Sequence, residues 1–459
     1  MTHKKKRAEQ VQTLRDEIKQ FRQEHPNISE IDLISLDIPG NFFGKRYAIA
    51  QLDKLAEAGL KLPASMYLMC NKGFPVKAMG YGQVDGDPDA NMFLVPGSLQ
   101  QLSWESTQRA QMLLSTSTEN TATTQAPLFW EPRVVLQQII KRFHAQKLYP
   151  TVAYELEFYL VSKERDHNGT IQPPCDPITG RVDSNAVLAI DRVSNFGDCL
   201  QEITRCCSEQ HIPTGPISAE LGPGQYEINL EHHNDPILAA DQCAAFKRIV
   251  KGVAKKHGYQ ATFMAKPYLD HPGNGLHLHT SLYNEKGENV MQLNERAILH
   301  YAVAGCLELL PASMALLAAN RNTYRRLQPN NFTAVSASWG YENRSVAVRI
   351  PDSDLANTRL EHRLASADAN PYLALSAILA GILHGVNKKL DPGEPCDHNA
   401  DEAGGLPLEL NQALQLLRSN HVLRELLGEK FVDVYCAQKY GELQAFEHEI
   451  SAREYDWYL

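Results

Sequence analysis

Two glutamates in the first half of the chain have the spacing of a paired carboxylate site. Glu155 and Glu157 stand two residues apart in the run 151–160, which reads as a strand, so both side chains face the same side. The other face of this run is apolar, which argues against a solvent-exposed strand. Hard divalent cations such as Mg²⁺ and Mn²⁺ prefer carboxylate oxygens as ligands. The pair is therefore a candidate metal site.

A second pair of carboxylates flanks a tight turn. Glu220 and Glu227 stand on either side of a Gly-Pro-Gly within the segment 218–229. Because glycine accepts a positive φ and proline fixes φ, we predict two strand ends folded back so that both acids point in one direction. The alternative is a surface turn with two solvated glutamates. The similar pair at Glu155 and Glu157 favours the metal site.

Histidines and arginines occupy similar strand-like contexts further along the chain. His277 and His279 alternate on one face of the segment 274–281, although a lone strand histidine is more often structural than a ligand. Arg349 lies in an apolar strand, where an unpaired guanidinium would be unfavourable. It is either half of a buried ion pair or a bidentate clamp for phosphate or carboxylate. Glu361, which lies between two arginines, is likewise either a salt-bridge partner or a ligand.

Taken together, these groups predict metal-dependent phosphoryl chemistry on a nucleotide. The potential metal ligands are Glu155, Glu157, Glu220, Glu227, His277 and Glu361. The sequence has no Gly-x4-Gly-Lys-Ser/Thr motif, so the nucleotide would not be held by a Walker loop.

The elements that would position these residues form a mixed α and β pattern. Apolar spacing predicts helices over 8–24, 132–143, 197–210, 236–257, 298–319, 370–388 and 407–427, and short strands at 31–37 and 261–265. The stretch 115–126 is rich in Ser, Thr and Asn, and we interpret it as the boundary between a small N-terminal domain and a large C-terminal one.

Composition limits the class of protein. The chain has 459 residues, 43% hydrophobic content and a net charge of −9, which is typical of a soluble globular protein and argues against nucleic-acid binding. The absence of an apolar run of about 18 residues predicts no membrane span. Nine cysteines without paired metal-type spacing predict reduced thiols and a cytoplasmic location.

The motifs resemble the glutamine synthetase family over about 30–459. The resemblance is carried by Glu155-Leu-Glu157, the segment 220–227, Lys266-Pro, the segment 273–282, Tyr324-Arg-Arg-Leu, Asn343-Arg-Ser, Arg349-Ile-Pro, Arg359-Leu-Glu-His-Arg363 and Asn370-Pro-Tyr. It implies an α+β fold with an N-terminal helix at 1–27, a small β-grasp domain at 28–122 and a large catalytic domain at 123–459, built on a curved antiparallel sheet with flanking helices. It also implies a homo-oligomer, a dodecamer of two stacked hexamers, with each active site between neighbouring subunits.

The resemblance also implies a role for each candidate residue. One metal ion would be held by Glu157, Glu220 and Glu227, and the other by Glu155, His277 and Glu361. The residues facing ATP would be His279, Ser281 and Arg359. The residues holding glutamate would be Gly273, Arg326 and Arg363. The catalytic arginines would be Arg326 together with Arg344 and Arg349, the last two meeting the transferring phosphoryl group.

This assignment fits a chemical need. A carboxylate and an amine do not form an amide at neutral pH unless the carboxylate is activated. Phosphoryl transfer from ATP would give γ-glutamyl phosphate, with Mg²⁺ or Mn²⁺ and the arginines neutralising the charge that moves. The amine would then attack the acyl phosphate.

The acceptor is indicated by what replaces the family's acids. The family's flap carries an acidic residue that serves ammonia, but here Phe332 stands at that place, and the segment 66–71 replaces the family's Asp-Gly-Ser-Ser. Apolar groups disfavour ammonium and suit a carbon chain, and the segments 338–344 and 366–372 resemble the γ-glutamylputrescine synthetase branch. The distant ammonium of a diamine would need an acid, for which Glu342, Asp352 and Asp354 are candidates. Another polyamine, ethanolamine or a monoamine remain alternatives, as do glutamine synthetase itself and a noncatalytic structural member of the family.

Overall fold

Helices and strands are distributed over two sheets and a helical layer in the computed structural model, which describes residues 3–76, 79–105, 108–116, 126–329, 333–400 and 404–459. The helices are α1 (His3–Glu24), α2 (Leu52–Ala58), α3 (Pro132–Ala145), α4 (Ile190–Asn195), α5 (Gly197–Glu209), α6 (Pro236–Lys256), α7 (Ala297–Leu317), α8 (Pro371–Lys388), α9 (Leu410–Ser419), α10 (His421–Leu427), α11 (Glu429–Glu447) and α12 (Ala452–Tyr458). The strands are β1 (Glu30–Leu36), β2 (Phe42–Ala48), β3 (Leu60–Pro63), β4 (Asp89–Leu94), β5 (Gln100–Gln101), β6 (Arg109–Ser115), β7 (Tyr149–Ser162), β8 (Thr214–Ala219), β9 (Gln225–Leu230), β10 (Tyr259–Thr262), β11 (Leu276–Tyr283), β12 (Trp339–Tyr341), β13 (Val348–Ile350) and β14 (Leu360–His362).

The first sheet belongs to the N-terminal part of the chain. Its strands run in the order β2-β1-β6-β4-β3, with β5 paired to β6. β1 is parallel to β6 and antiparallel to β2. The preceding helix α1 buries Leu14, Ile18 and Phe21, a spacing that puts all three on one helix face. A small sheet with a helix at its N-terminus agrees with the predicted fold class.

The second sheet carries the chemistry. Its order is β12-β13-β14-β11-β7-β9-β8, with β10 paired to β7, and every pair is antiparallel except β12 with β13. In β7 the alternate residues from Val152 to Phe158 are buried, and the strand packs against α3 and α6. Because successive side chains point to opposite faces, Glu155 and Glu157 lie on the other face, away from this core.

Helices α7 and α8 pack so closely that glycine is required where they cross. A Cβ added to Gly385 would lie 1.9 Å from the carbonyl oxygen of Tyr301, and one added to Gly305 would lie 2.1 Å from that of Gly381. The segment Asn294–Leu317, which contains α7, is long and apolar enough to cross a membrane by length and composition, contrary to the prediction that no such run exists. Because 61% of its most apolar window is buried inside the protein, the segment is a core helix and only weak evidence for a membrane span.

Most of the predicted elements are confirmed, and the differences are as follows. The helix predicted over 407–427 is two helices, because Asn420 ends α9 and its side chain accepts a hydrogen bond from Leu423 N at the start of α10. The strand predicted at 261–265 ends at Thr262, where its pairing with β7 stops. Helices α2, α4, α11 and α12 were not predicted. The segment 117–125, which includes the predicted domain boundary, lies outside the described residues.

Candidate active site

Strand pairing places four of the candidate ligands on one face of the second sheet. Glu157 of β7 is directly opposite Glu227 of β9, and Glu155 of β7 is opposite His277 of β11. Residues directly opposite each other in antiparallel strands point to the same face. The alternation predicted from the sequence therefore becomes a polar face that crosses three strands.

The same face continues through two further strands. His279 of β11 is opposite Glu361 of β14, which is in turn opposite Arg349 of β13. Glu361 and both histidines are buried, with less than one tenth of their surface exposed. Groups as polar as these are rarely buried without charged or metal partners. We call the face formed by Glu155, Glu157, Glu227, His277, His279, Arg349 and Glu361 the polar face.

Glu220 is brought to this face by a hairpin, as the sequence predicts. β8 ends just before Glu220 and β9 begins at Gln225, whose N–H closes the turn by donating to the carbonyl oxygen of Gly222 at 3.0 Å. Gly224 has a φ of 73°, and a Cβ added to Gly222 would lie 2.0 Å from the hydroxyl of Tyr159. Both glycines are thus required, one by its backbone angle and one by close contact.

A buried ion pair that sequence analysis missed fixes this turn. Arg192 of α4 donates to the carbonyl oxygen of Gly222 at 2.7 Å and also to that of Glu220. Its guanidinium pairs with Asp183 at 2.7 Å, and Asp183 in turn accepts the Gly224 N–H at 2.6 Å. No pattern in the sequence marks Arg192 or Asp183, because both lie in a segment that shows no clear periodicity and act on the hairpin from outside.

Two compact groups of potential metal ligands occur among the described residues. One consists of Glu155, Glu227 and His277, and the other of Glu155, His279 and Glu361, with the ligand atoms of each group within 4.8 Å of one another. His277 Nδ1 lies 3.4 Å from a Glu155 oxygen and 3.6 Å from a Glu361 oxygen. Neither group reproduces the division into two sets of three that the family resemblance implies, so that division stays a prediction.

The carboxylates of the polar face differ in their pKa values. Burial, followed by repulsion from Glu157, Glu155 and Glu220, raises the pKa of Glu227 to about 9. Burial and repulsion from Glu157 likewise raise the pKa of Glu220 to about 7. This mutual repulsion is what a bound divalent cation would relieve, and carboxylate oxygens with imidazole nitrogens suit Mg²⁺ or Mn²⁺. The donor set therefore fits a divalent metal ion.

Two other carboxylates of the polar face, Glu361 and Glu155, have low pKa values. Burial alone would raise the pKa of Glu361, but His277 and Arg363 outweigh it and hold the pKa at about 2. Burial also opposes ionisation of Glu155, yet its contacts with the two histidines hold its pKa well below the ordinary range. These two carboxylates are charged throughout the physiological pH range.

A cavity of about 280 Å³ opens from the ligand groups towards the predicted nucleotide residues. Its lining includes Glu155, His279, Ser281 and Arg359. Arg359 Nε donates to His279 Nδ1 at 3.2 Å, so a neutral His279 carries its proton on Nε2, which faces Glu155. Ser281 donates to the carbonyl oxygen of Thr358 at 3.0 Å.

The residues predicted to hold glutamate lie at the opposite end of the face. A Cβ added to Gly273 would lie 2.3 Å from the carbonyl oxygen of Ala265 and 2.7 Å from Cγ of Arg326, so glycine permits close approach there. Arg326 is buried and donates to the carbonyl oxygens of Leu364 and Ala365. Arg363 pairs directly with Glu361. Glu157 accepts the Gly275 N–H at 2.8 Å beside this group.

The two arginines predicted to meet the phosphoryl group differ in their surroundings. Arg349 donates to Glu361 at 2.8 Å and to Glu342 at 3.0 Å, so it takes part in ion pairs, and its contact with a phosphoryl group stays a prediction. Arg344 is exposed, and its charge opposes the rise in the pKa of Glu220. Phe332, the predicted flap residue, lies outside the described residues. Among the candidate acids for a distant ammonium, Glu342 is bound to Arg349, and Asp354 accepts the Asn357 N–H.

Comparison with known proteins agrees with this geometry. The family model described as glutamine synthetase, catalytic domain, matches residues 130–458. The γ-glutamylputrescine synthetase PuuA of Escherichia coli (strain K12) is 42% identical over 449 residues, which cover 96% of this chain and 94% of that protein. A glutamate–isopropylamine ligase of a Pseudomonas species is 29% identical, covering 93% of this chain and 94% of the relative. A glutamine synthetase of Thermococcus kodakarensis is also 29% identical, covering 91% and 90%.

A solved structure leads to the same conclusion for the fold. The structure described as GmaS without ligand superimposes with a TM-score of 0.80 at 25% identity, covering 95% of this chain and 97% of that one. The predicted α+β architecture is thereby confirmed. The chain belongs to the glutamine synthetase family.

Proposed function

We propose that the protein is an ATP-dependent ligase that joins the γ-carboxylate of glutamate to a primary amine, with putrescine or a related polyamine as the acceptor. The observation that carries the acceptor class is the 42% identity to a γ-glutamylputrescine synthetase across almost the whole of both chains. The glutamate–isopropylamine ligase among the relatives supports an amine acceptor in the same fold. The polar face supplies the groups that such a ligase needs.

The carboxylates and imidazoles would hold two divalent ions, Mg²⁺ or Mn²⁺. When bound, such ions offset the negative charge that builds up on the transferring phosphoryl group and orient its oxygens. The proposed ligands are Glu155, Glu157, Glu220, Glu227, His277 and Glu361. The rest of the chemistry depends on side chains that position the two substrates and meet the charge that moves.

The two substrates would enter from opposite ends of the polar face. The cavity beside His279, Ser281 and Arg359 would hold ATP, because the Arg359 guanidinium can contact a polyphosphate there. Gly273, Arg326 and Arg363 would hold the carboxylates of glutamate. This arrangement directs the γ-carboxylate and the γ-phosphate of ATP towards each other over the metal ligands.

Arg344 and Arg349 would meet the phosphoryl group as it moves. A guanidinium matches the planar oxygen pairs of a phosphoryl group and keeps its charge at every physiological pH. Transfer gives γ-glutamyl phosphate and ADP. The neutral amine then attacks the acyl carbon, phosphate leaves, and the amide forms with loss of a proton.

The acceptor test is a coupled ADP-release assay with glutamate and a panel of putrescine, longer and shorter diamines, ethanolamine, isopropylamine and ammonium. We expect kcat/KM to be highest for a diamine or polyamine. A kcat/KM for ammonium equal to or above that for putrescine would refute the polyamine proposal and favour glutamine synthetase. The 28–31% identity to several glutamine synthetases is the observation that makes this second candidate worth testing.

Assembly and location belong to the same proposal. We propose a dodecamer of two stacked hexamers with active sites between neighbouring subunits, acting in the cytoplasm without a nucleic-acid or membrane partner. The proposal also includes an N-terminal helix at 1–27, a β-grasp domain at 28–122 and a catalytic domain at 123–459. Light scattering of the purified protein with and without Mg²⁺ would measure the subunit number, and any value other than twelve would refute the proposed assembly.

A further inference from the structure

Glu342 has a backbone conformation that glutamate rarely adopts. It follows β12 with a φ of +51°, in the left-handed region that is unfavourable for a residue with a Cβ. Asparagine, aspartate and glycine occupy this region more readily. Strained residues of this kind concentrate at functional sites, where the surrounding structure fixes them. Positive φ alone does not mark a function, since Glu295 has it too, but the carboxylate of Glu342 also contacts a residue of the proposed site.

The Glu342 carboxylate is bound to Arg349. Both of its oxygens accept from Arg349 Nη2 at 3.0 Å, and one of them also accepts the N–H of Asp352. The other terminal nitrogen of Arg349 donates to Glu361 at 2.8 Å. The guanidinium is thus held between an acid of the turn and a proposed metal ligand.

No other contact among the described residues would hold that guanidinium. Arg349 Nε is buried without a hydrogen-bond partner in the part of the chain that the structure describes. Within the described part of the chain, loss of Glu342 would therefore leave Arg349 attached to Glu361 alone. A long side chain with one remaining contact samples more rotamers, so the guanidinium would be less well placed for a transferring group.

The turn that carries Glu342 is fixed from its outer side. Asn343 donates to the carbonyl oxygens of Cys396 and His398, each at 2.9 Å, and accepts from both the N–H and the hydroxyl of Ser345. The hydrogen bond from the Asp352 N–H, and then the contact with Arg349, lower the pKa of Glu342. The turn is thus fixed by contacts other than the one between Glu342 and Arg349.

We propose that Glu342 is a positioning residue, which holds the Arg349 guanidinium against Glu361. The role of Arg349 rests on the proposed function, whereas the contacts rest on geometry alone. Because its carboxylate is occupied by Arg349, Glu342 does not serve as the acid for the distant ammonium of a diamine.

The test uses Glu342→Asn, which suits the left-handed backbone but is too short to reach Arg349. We expect the thermal unfolding midpoint to stay equal or rise, while kcat for ADP release falls at least about tenfold and KM for ATP and glutamate changes less than about twofold. Glu342→Gln keeps the length and should recover part of the lost kcat. The matched control is Glu295→Asn, the same change at a φ of +55° in the turn before α7, which should leave kcat unchanged.

Two further measurements separate positioning from a structural role. In an Arg349→Lys background, Glu342→Asn should lower kcat by less than about twofold, because the partner is already altered. A crystal structure of Glu342→Asn should show the Arg349 guanidinium displaced from Glu361. Undiminished kcat, a fully additive loss in the double variant, or an undisplaced Arg349 would each overturn the proposal. So would a rise in KM for diamines alone with kcat preserved, since that result would assign Glu342 to the distant ammonium.

The same experiments distinguish failure of the proposal from failure of the proposed function. If the wild-type protein forms no amide from glutamate with any amine or with ammonium, the proposed function fails. The crystal structure of the variant still decides whether Glu342 holds Arg349.

Discussion

Replacing Glu227 by Gln should stabilise the metal-free protein and at the same time weaken its response to metal. The side chain keeps its size and loses only its ability to ionise. Burial, then repulsion from Glu157, Glu155 and Glu220, raises the pKa of Glu227 to about 9 from an ordinary value of 4.5. The folded protein therefore resists ionising this group, whereas the unfolded chain ionises it readily.

The size and sign of the effect follow from that difference. A carboxyl pKa that is higher in the folded state contributes stability below pH 4.5, and this contribution is lost as the pH rises towards about 9. At pH 7.5, three pH units above the ordinary value, the loss is at most about 4 kcal/mol. Glutamine has no such titration, so the midpoint of the metal-free variant should fall less steeply with pH than that of the wild type.

Metal should reverse the comparison. A cation that binds only the folded state stabilises it by about 2.7 kcal/mol at one hundred times its dissociation constant. Glu227→Gln removes one proposed ligand, so this gain should shrink, and ATP-dependent amide formation should be lost. The assay is thermal unfolding between pH 6 and 9 in EDTA, and again with Mg²⁺ or Mn²⁺.

The matched control is Glu164→Gln, an exposed glutamate just beyond β7. It should change neither the pH dependence nor the response to metal. The reasoning fails if Glu227→Gln shows the wild-type slope with pH and the wild-type rise in midpoint with Mn²⁺, because the carboxylate would then be neither strained nor a ligand.

Three further variants test other parts of the site. Glu361→Gln should abolish ADP release and, unlike Glu227→Gln, lower the unfolding midpoint in EDTA. The buried Arg363 guanidinium loses its carboxylate partner and Arg349 keeps only Glu342, a loss of about 3–5 kcal/mol. An unchanged midpoint would contradict the ion pairs. Asp183→Asn should weaken Mn²⁺ binding, measured by titration calorimetry, although Asp183 is not a proposed ligand. The reason is that Asp183 holds Arg192 against the hairpin that carries Glu220. Unaltered affinity would mean that the hairpin keeps its shape without this ion pair. Phe332→Glu should shift kcat/KM from alkyl amines towards ammonium, and no shift would mean that the flap does not select the acceptor. For the wild type, kcat/KM for alkyl amines should rise up to about pH 10, since these amines have a pKa near that of lysine.

The polar face could be predicted from the sequence because strand periodicity is local. Glu155 and Glu157, and likewise His277 and His279, needed only the alternation of a strand to be assigned to one side. The Gly-Pro-Gly sequence likewise predicts a hairpin without reference to distant residues. Which strands pair with each other is not local, and the register of β7 with β9 and β11 came only with the structure.

What could not be predicted depends on contacts between distant segments. Arg192 and Asp183 act on the hairpin through tertiary hydrogen bonds, and nothing in their neighbouring residues indicates this. The positive φ of Glu342 was equally hidden, because glutamate is not a residue that signals a left-handed turn. The break at Asn420 could have been found, since asparagine is a common N-cap and α10 begins directly after it.

The two alternatives left open for Glu361 turn out to be compatible. Glu361 pairs with Arg349 and Arg363, and its pKa is held at about 2. One of its oxygens also lies 3.6 Å from His277 Nδ1, close enough for the two atoms to bind the same metal ion. Its charge is therefore already balanced by cations of the protein, whereas Glu220 and Glu227 have raised pKa values because the folded chain supplies too little positive charge near them. A divalent ion gains most where carboxylates repel each other, but it must displace their protons there. Metal binding on the Glu220–Glu227 side should thus strengthen as the pH rises from about 7 to about 9. A Mn²⁺ titration with unchanged affinity across that range would contradict this reasoning.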